Sequence, residues 1–135
     1  MDKLKFNVDV SMKGKPGPVG IGGVLRDANG KVMCLFSNSV GITDSNTAEL
    51  WAIEKAVRLC NDNQELRGRD IVVVSDSKVA CSMAHVNSIY DIRSCMRDFG
   101  SLEVVYDSRA YNSFADSLAK MGSSMIGDFV EWGDL

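Results

Sequence analysis

Leu4, Phe6, Val8 and Val10 alternate with Lys5, Asn7 and Asp9, the two-residue period of a strand with one strongly apolar face, which leaves Asp9 on the opposite face. After a Gly/Pro-rich turn at 13–18, Val19 to Leu25 reads as a second strand, and Asp27-Ala-Asn-Gly30 turns the chain into a third, Lys31 to Phe36. Three antiparallel strands are thus expected to open the fold. From about Asn46 to Leu59, Leu50, Ile53 and Val57 fall at helical spacing beside Ala48, Ala52 and Ala56, with Asp44 and Ser45 as cap candidates. Ile71-Val-Val-Val74 is a continuous β-branched run, the mark of a strand buried on both faces and paired in parallel, and Ser75-Asp76-Ser77 follows it directly. The remaining pattern predicts helices over Ser77 to about Met83, Ile89 to Phe99 and Ser113 to Met121, and a strand over Leu102 to Tyr106. The tail from Gly122 shows no clear period, and neither a repeat nor a linker divides the chain. This order predicts an α/β fold: one domain over 1–135, a five-stranded mixed sheet with helices packed on it, and no element assigned to about 123–135.

Composition adds bounds. The chain has 135 residues, 45% hydrophobic and 24% charged, enough apolar material for a core. No apolar run approaches the ~20 residues of a membrane span, and Met-Asp-Lys-Leu-Lys does not begin a secretory signal, so an intracellular protein is expected. Cys34, Cys60, Cys81 and Cys95 form no Cys-x-x-Cys pair and stand mostly among apolar neighbours, which predicts reduced thiols rather than zinc. A net charge of -3 argues against strong electrostatic attraction for nucleic acid.

Acidic residues carry the candidate chemistry. Glu49 opens a helix whose inward stripe continues through Ala52, Ile53 and Ala56; it is either a buried acid or a first-turn Glu favoured by the helix dipole and angled into solvent. Asp76 closes an apolar strand, where ligand sites collect in sheets of this type, yet a helix cap is an equal reading. Asp9, a carboxylate in an otherwise apolar strand, needs a cation or a donor unless the strand is a wet edge. Asp116 reads by itself as an ordinary first-turn acid.

Taken together, Phe6-Asn-Val-Asp9, Gly20-Ile-Gly-Gly-Val-Leu-Arg-Asp27, Thr47-Ala-Glu-Leu-Trp-Ala52, Val73-Val-Ser-Asp-Ser-Lys78 and Asn112-Ser-Phe-Ala-Asp-Ser-Leu-Ala119 resemble, in order and over nearly the whole chain, the ribonuclease H family. The plant retroelement-type, reverse-transcriptase-associated version is the nearest in pattern. The resemblance implies a ribonuclease H-like sheet with Asp9 on its central strand. It also implies a site of Asp9, Glu49, Asp76 and Asp116 for two Mg²⁺ ions, replaceable by Mn²⁺, that hydrolyses the RNA strand of an RNA–DNA hybrid. By the same resemblance Asn46, Ser77, Lys78 and Asn112 would contact the nucleic acid. Recognition of hybrid would rest on 2′-hydroxyls in a shallow minor groove.

The chain also departs from that family. The loop before the final acid, which usually carries a His, reads Tyr106-Asp-Ser-Arg109, and His85 falls in a predicted helix. Val10 stands where Gly usually follows the first acid, so a close backbone approach is expected to be lost. A basic, Trp-containing extension is missing, and Asn87 to Phe99 offers only Arg93 and Arg97. Slow turnover and weak substrate affinity are the implied consequences. The alternative is a catalytically weak or silent domain that binds nucleic acid or protein.

Overall fold

A computed structural model describes residues 3–14, 16–86, 101–108 and 112–133. The helix predicted over Ile89 to Phe99, with Arg93 and Arg97, and also Cys95 and Arg109 lie outside the described residues. In chain order the elements are β1 (Leu4–Met12), β2 (Val19–Arg26), β3 (Val32–Gly41), α1 (Ser45–Asp62), a short 3₁₀ turn (Gln64–Leu66), β4 (Asp70–Ser75), α2 (Lys78–Val86), β5 (Ser101–Tyr106), α3 (Ser113–Ser123) and β6 (Asp128–Trp132). Among the described residues the sheet has six strands, in the order β5-β4-β1-β2-β3-β6. The expected five become six because the tail pairs antiparallel with β3, Phe36 opposite Val130. No helix among the described residues is long and apolar enough to cross a membrane.

β1 lies inside the sheet, antiparallel to β2 and parallel to β4, which is itself parallel to β5. Asp9 is therefore not on a wet edge. The opening strands are antiparallel as expected, and the Asp27 turn is tied by its own carboxylate, which accepts the N–H groups of Asn29 and Lys31. On one face Leu4, Phe6, Ile71 and Val73 pack with Ala52, Ile53, Ala56 and Val57 of α1 and with Ala80 and Ala84 of α2 in the main core. On the other face Val24 meets Ala115 and Leu118 of α3. Burial of such side chains is worth about 1.5–3 kcal/mol for each large one, which ties both helix layers to the sheet. Cys34, Cys60 and Cys81 are free and buried, and burial pushes the Cys34 thiol up to about 12. These thiols act as core residues.

How closely α3 approaches is decided by glycine. A Cβ on Gly22 would stand 2.5 Å from the Ala119 nitrogen and 2.8 Å from the Ala115 oxygen, and one on Gly20 would stand 2.1 Å from the Ser123 nitrogen. The obstructing atoms are backbone, so the helix as a whole would have to move. Because Gly22 pairs with Asp9, this bare stretch of β2 also fixes α3 beside the first acid. Gly22→Ala is expected to lower stability by about 1–3 kcal/mol through overpacking, read as an earlier midpoint in urea. An unchanged midpoint would mean that α3 is not seated on the β2 backbone.

Candidate active site

Parallel register brings the first two acids level. Asn7 pairs with Val74, so Asp9 and Asp76, each two residues further along its chain, come level where β4 ends beside the continuing β1. The opening turn of α1 reaches the same end. Asp44 caps that helix, its Oδ1 accepting the Thr47 N–H at 2.8 Å and its Oδ2 the Thr47 hydroxyl at 2.8 Å. With the cap supplied by Asp44, Glu49 turns inward and is 6% exposed, which excludes the solvent-facing reading. One carboxylate oxygen from each of Asp9, Glu49 and Asp76 lies within 4.8 Å of the others.

Asp116 joins from the opposite helix layer. It lies within hydrogen-bonding reach of Asp9 and also pairs with Lys120 Nζ at 3.0 Å, one helical turn later. It is outside the trio that shares a single point, so the arrangement is three acids around one position with a fourth against Asp9. The capping reading of Asp76 fails, because Ser77 Oγ accepts the Ala80 N–H at 3.1 Å and caps α2 instead.

The electrostatics of Asp9 and Glu49 are those of acids crowded against other acids. Burial, then the charges of Asp76 and Asp116, raises Asp9 to about 6, against the opposing pull of the Val10 N–H, which donates to Asp9 Oδ1 at 2.8 Å. Val10 thus keeps a backbone contact with the acid that precedes it. Burial, opposed by the Ser75 hydroxyl and reinforced by Asp76 and Asp9, raises Glu49 to about 8. Among the described residues no Lys or Arg pairs with Asp9, Glu49 or Asp76. Ionising all three together calls for a counter-charge that the described residues do not supply, and a hard divalent ion, which takes carboxylate oxygens, fits this donor set.

The expected nucleic-acid contacts divide. Asn46 and Lys78 are exposed, and Ser77 is half-buried with its hydroxyl 3.5 Å from Asn46 Oδ1, so all three border the Asp76 turn. Asn112 instead caps α3, its Oδ1 accepting the Ala115 N–H at 2.9 Å. Ser75 was not among the predicted site residues. It is buried and donates from Oγ to Glu49 Oε2 at 2.9 Å, and the only hint of it in the sequence is a hydroxyl closing a β-branched run before an acid. Tyr106 is exposed at the end of β5, and the Asp107 N–H donates to the Ser75 carbonyl at 3.0 Å. A separate concavity of about 400 Å³ between α1 and β2, β3 and β6, bordered by Val40, Trp51, Leu59 and Val130, contains none of these acids.

Comparison with known proteins places this arrangement. The model of the reverse transcriptase-like family matches residues 7–122. A candidate ribonuclease H protein of Arabidopsis thaliana is 30% identical over 129 residues, covering 90% of this chain, which spans 21% of that relative's length. Among solved structures, LC11-RNase H1, isolated from compost by a metagenomic approach, superposes with a TM-score of 0.75 at 26% identity over 90% of this chain and 96% of the other. LC11-RNase H1 in complex with an RNA/DNA hybrid superposes with a TM-score of 0.70 at 24% identity, over 87% and 94%. With the central strand, the helix layers and the acidic cluster in place, and a family match over nearly all of its length, this chain belongs to the reverse transcriptase-like, ribonuclease H-like family.

Proposed function

We propose that the chain hydrolyses the RNA strand of RNA–DNA hybrids, using two divalent cations, Mg²⁺ or Mn²⁺, held by Asp9, Glu49, Asp76 and Asp116. The observation that carries this reading is the convergence of acids from β1, α1, the end of β4 and α3, with no basic partner for the trio among the described residues. A purely structural cluster would be neutralised by Lys or Arg; among the described residues none does so here, and the Val10 N–H and Ser75 hydroxyl are neutral donors that leave the charge to a proton or a metal. The hybrid-bound relative and the Arabidopsis relative's name support the choice of substrate.

Bound divalent cations supply Lewis acidity and neutralise charge at the scissile phosphate. The chain's own residues do the rest. Asp9, one of the trio and also beside Asp116, is the acid that would serve both cations. Asn46, Ser77 and Lys78 form the polar rim where phosphate and 2′-hydroxyl groups would lie. The Asn112 side-chain oxygen serves the helix cap, and its amide N–H₂ is the group that would donate to a substrate. Hybrid affinity is expected to be weak, given the net charge of -3.

The test is a cleavage assay on labelled RNA–DNA hybrid, double-stranded RNA and double-stranded DNA, each with Mg²⁺, Mn²⁺ or chelator. RNA in the hybrid is expected to be cut with either cation, and the other duplexes to survive. Retention of hybrid without cleavage in either cation would replace this reading with that of a silent binding module.

A further inference from the structure

Ser75 ends β4 fully buried, and its hydroxyl is used on both sides. It donates to Glu49 Oε2 at 2.9 Å and accepts the Ser77 N–H at 3.1 Å. Ser77 in turn caps α2 and stands 3.5 Å from Asn46 Oδ1 on the first turn of α1, while the Asp107 N–H holds the Ser75 carbonyl at 3.0 Å. A single side chain therefore links an acid on α1 to the turn that carries Asp76. A hydroxyl has one proton to donate, and here it is directed at a carboxylate that has no basic partner among the described residues.

The geometry points to Ser75 as a positioning residue: its hydroxyl fixes the Glu49 carboxylate against Asp76 and thereby sets the affinity of the acid cluster for a divalent cation. This rests on the function proposed above. A Glu side chain free to change rotamer would meet the cation with its carboxylate unordered, and groups that orient metal ligands typically change affinity about 10–100-fold. A role confined to the β4–α2 turn would instead affect folding alone.

Calorimetric titration of Mn²⁺ into the whole chain separates these. S75A and S75C are expected to bind Mn²⁺ about tenfold more weakly than the wild type, and S75T, which keeps the hydroxyl, within about threefold of it. In an E49A background, S75A should cost nothing further, because the side chain it orients is gone. Thermal melting of the cation-free variants confirms that each is folded, and should S75A unfold, S75C carries the comparison. Wild-type affinity in folded S75A or S75C, S75T as weak as S75A, or the same loss with and without Glu49, would overturn the role of Ser75 and leave the function standing. Absence of Mn²⁺ uptake by the wild type would instead remove the function and the inference together.

Discussion

Asp9→Asn is expected to reduce cleavage of the hybrid by at least about a thousandfold, since loss of groups that merely support metal ligands already costs roughly 10–100-fold. The same substitution should not unfold the protein. Asn retains an oxygen for the Val10 N–H, which Asp9 Oδ1 now accepts at 2.8 Å, and it removes a carboxylate that burial and the neighbouring acids hold at about 6. At pH 8 without cations the variant is expected to be more stable than the wild type by about 1–3 kcal/mol, the cost of ionising that carboxylate after allowance for solvent screening. Activity and stability thus move in opposite directions, as they do where a site is maintained for function. Cleavage assays with urea denaturation of the same samples check both. Wild-type cleavage in D9N, or a loss of activity explained by unfolding, would contradict the assignment.

The second large effect is a reversal of pH dependence by cations. Asp9 is raised from 3.8 to about 6 and Glu49 from 4.5 to about 8, so between those limits the folded chain binds more protons than the unfolded one. Stability contributed by these protons is complete below about pH 4 and is lost as pH rises through 6 and then 8. Other titrating groups aside, cation-free protein is expected to lose on the order of 2–4 kcal/mol from pH 5 to pH 8.5. That is a fall in melting temperature of roughly 10 °C. Millimolar Mg²⁺ or Mn²⁺ should restore most of this loss at pH 8.5 and do little at pH 5, where the ligands are protonated. Melting curves with and without chelator across this range decide the matter. Equal melting temperatures with and without cation at pH 8.5 would show that the acids hold no metal.

Much of the fold could be read in the chain because local pattern and tertiary context agree. The alternation of β1 placed Asp9 on the face opposite Phe6, and the β-branched run of β4 announced a parallel strand with an acid at its carboxyl end. The chain left Glu49 open between a buried and a solvent-facing acid; Ala52 and Ala56 continue its inward stripe, but only the packed helix decides for burial. β6 was not legible, since Asp128, Phe129, Val130 and Glu131 are all exposed and lack the period of a half-buried strand. Its pairing is decided by the open edge of β3, far away in sequence. β3 itself runs past the predicted Phe36 to Gly41, because the buried Ser37 satisfies its hydroxyl on the Leu118 carbonyl of α3. The capping choices at Asp76 and Asn112 were equally hidden, because Ser77 and Asp76 are both good caps by type and only geometry distinguishes them. Ser75 escaped for the same reason, its partner Glu49 being on a different element.

The central claim is that acids distant along the chain form one site for paired divalent cations. Its most direct measurement is anomalous diffraction from crystals equilibrated with Mn²⁺. Two peaks roughly 3.5–4 Å apart, both within bonding distance of Asp9, with Glu49 and Asp76 on one and Asp116 on the other, are the predicted result. No peak at the cluster, or manganese bound elsewhere while Asp9, Glu49 and Asp76 stay empty, would contradict it.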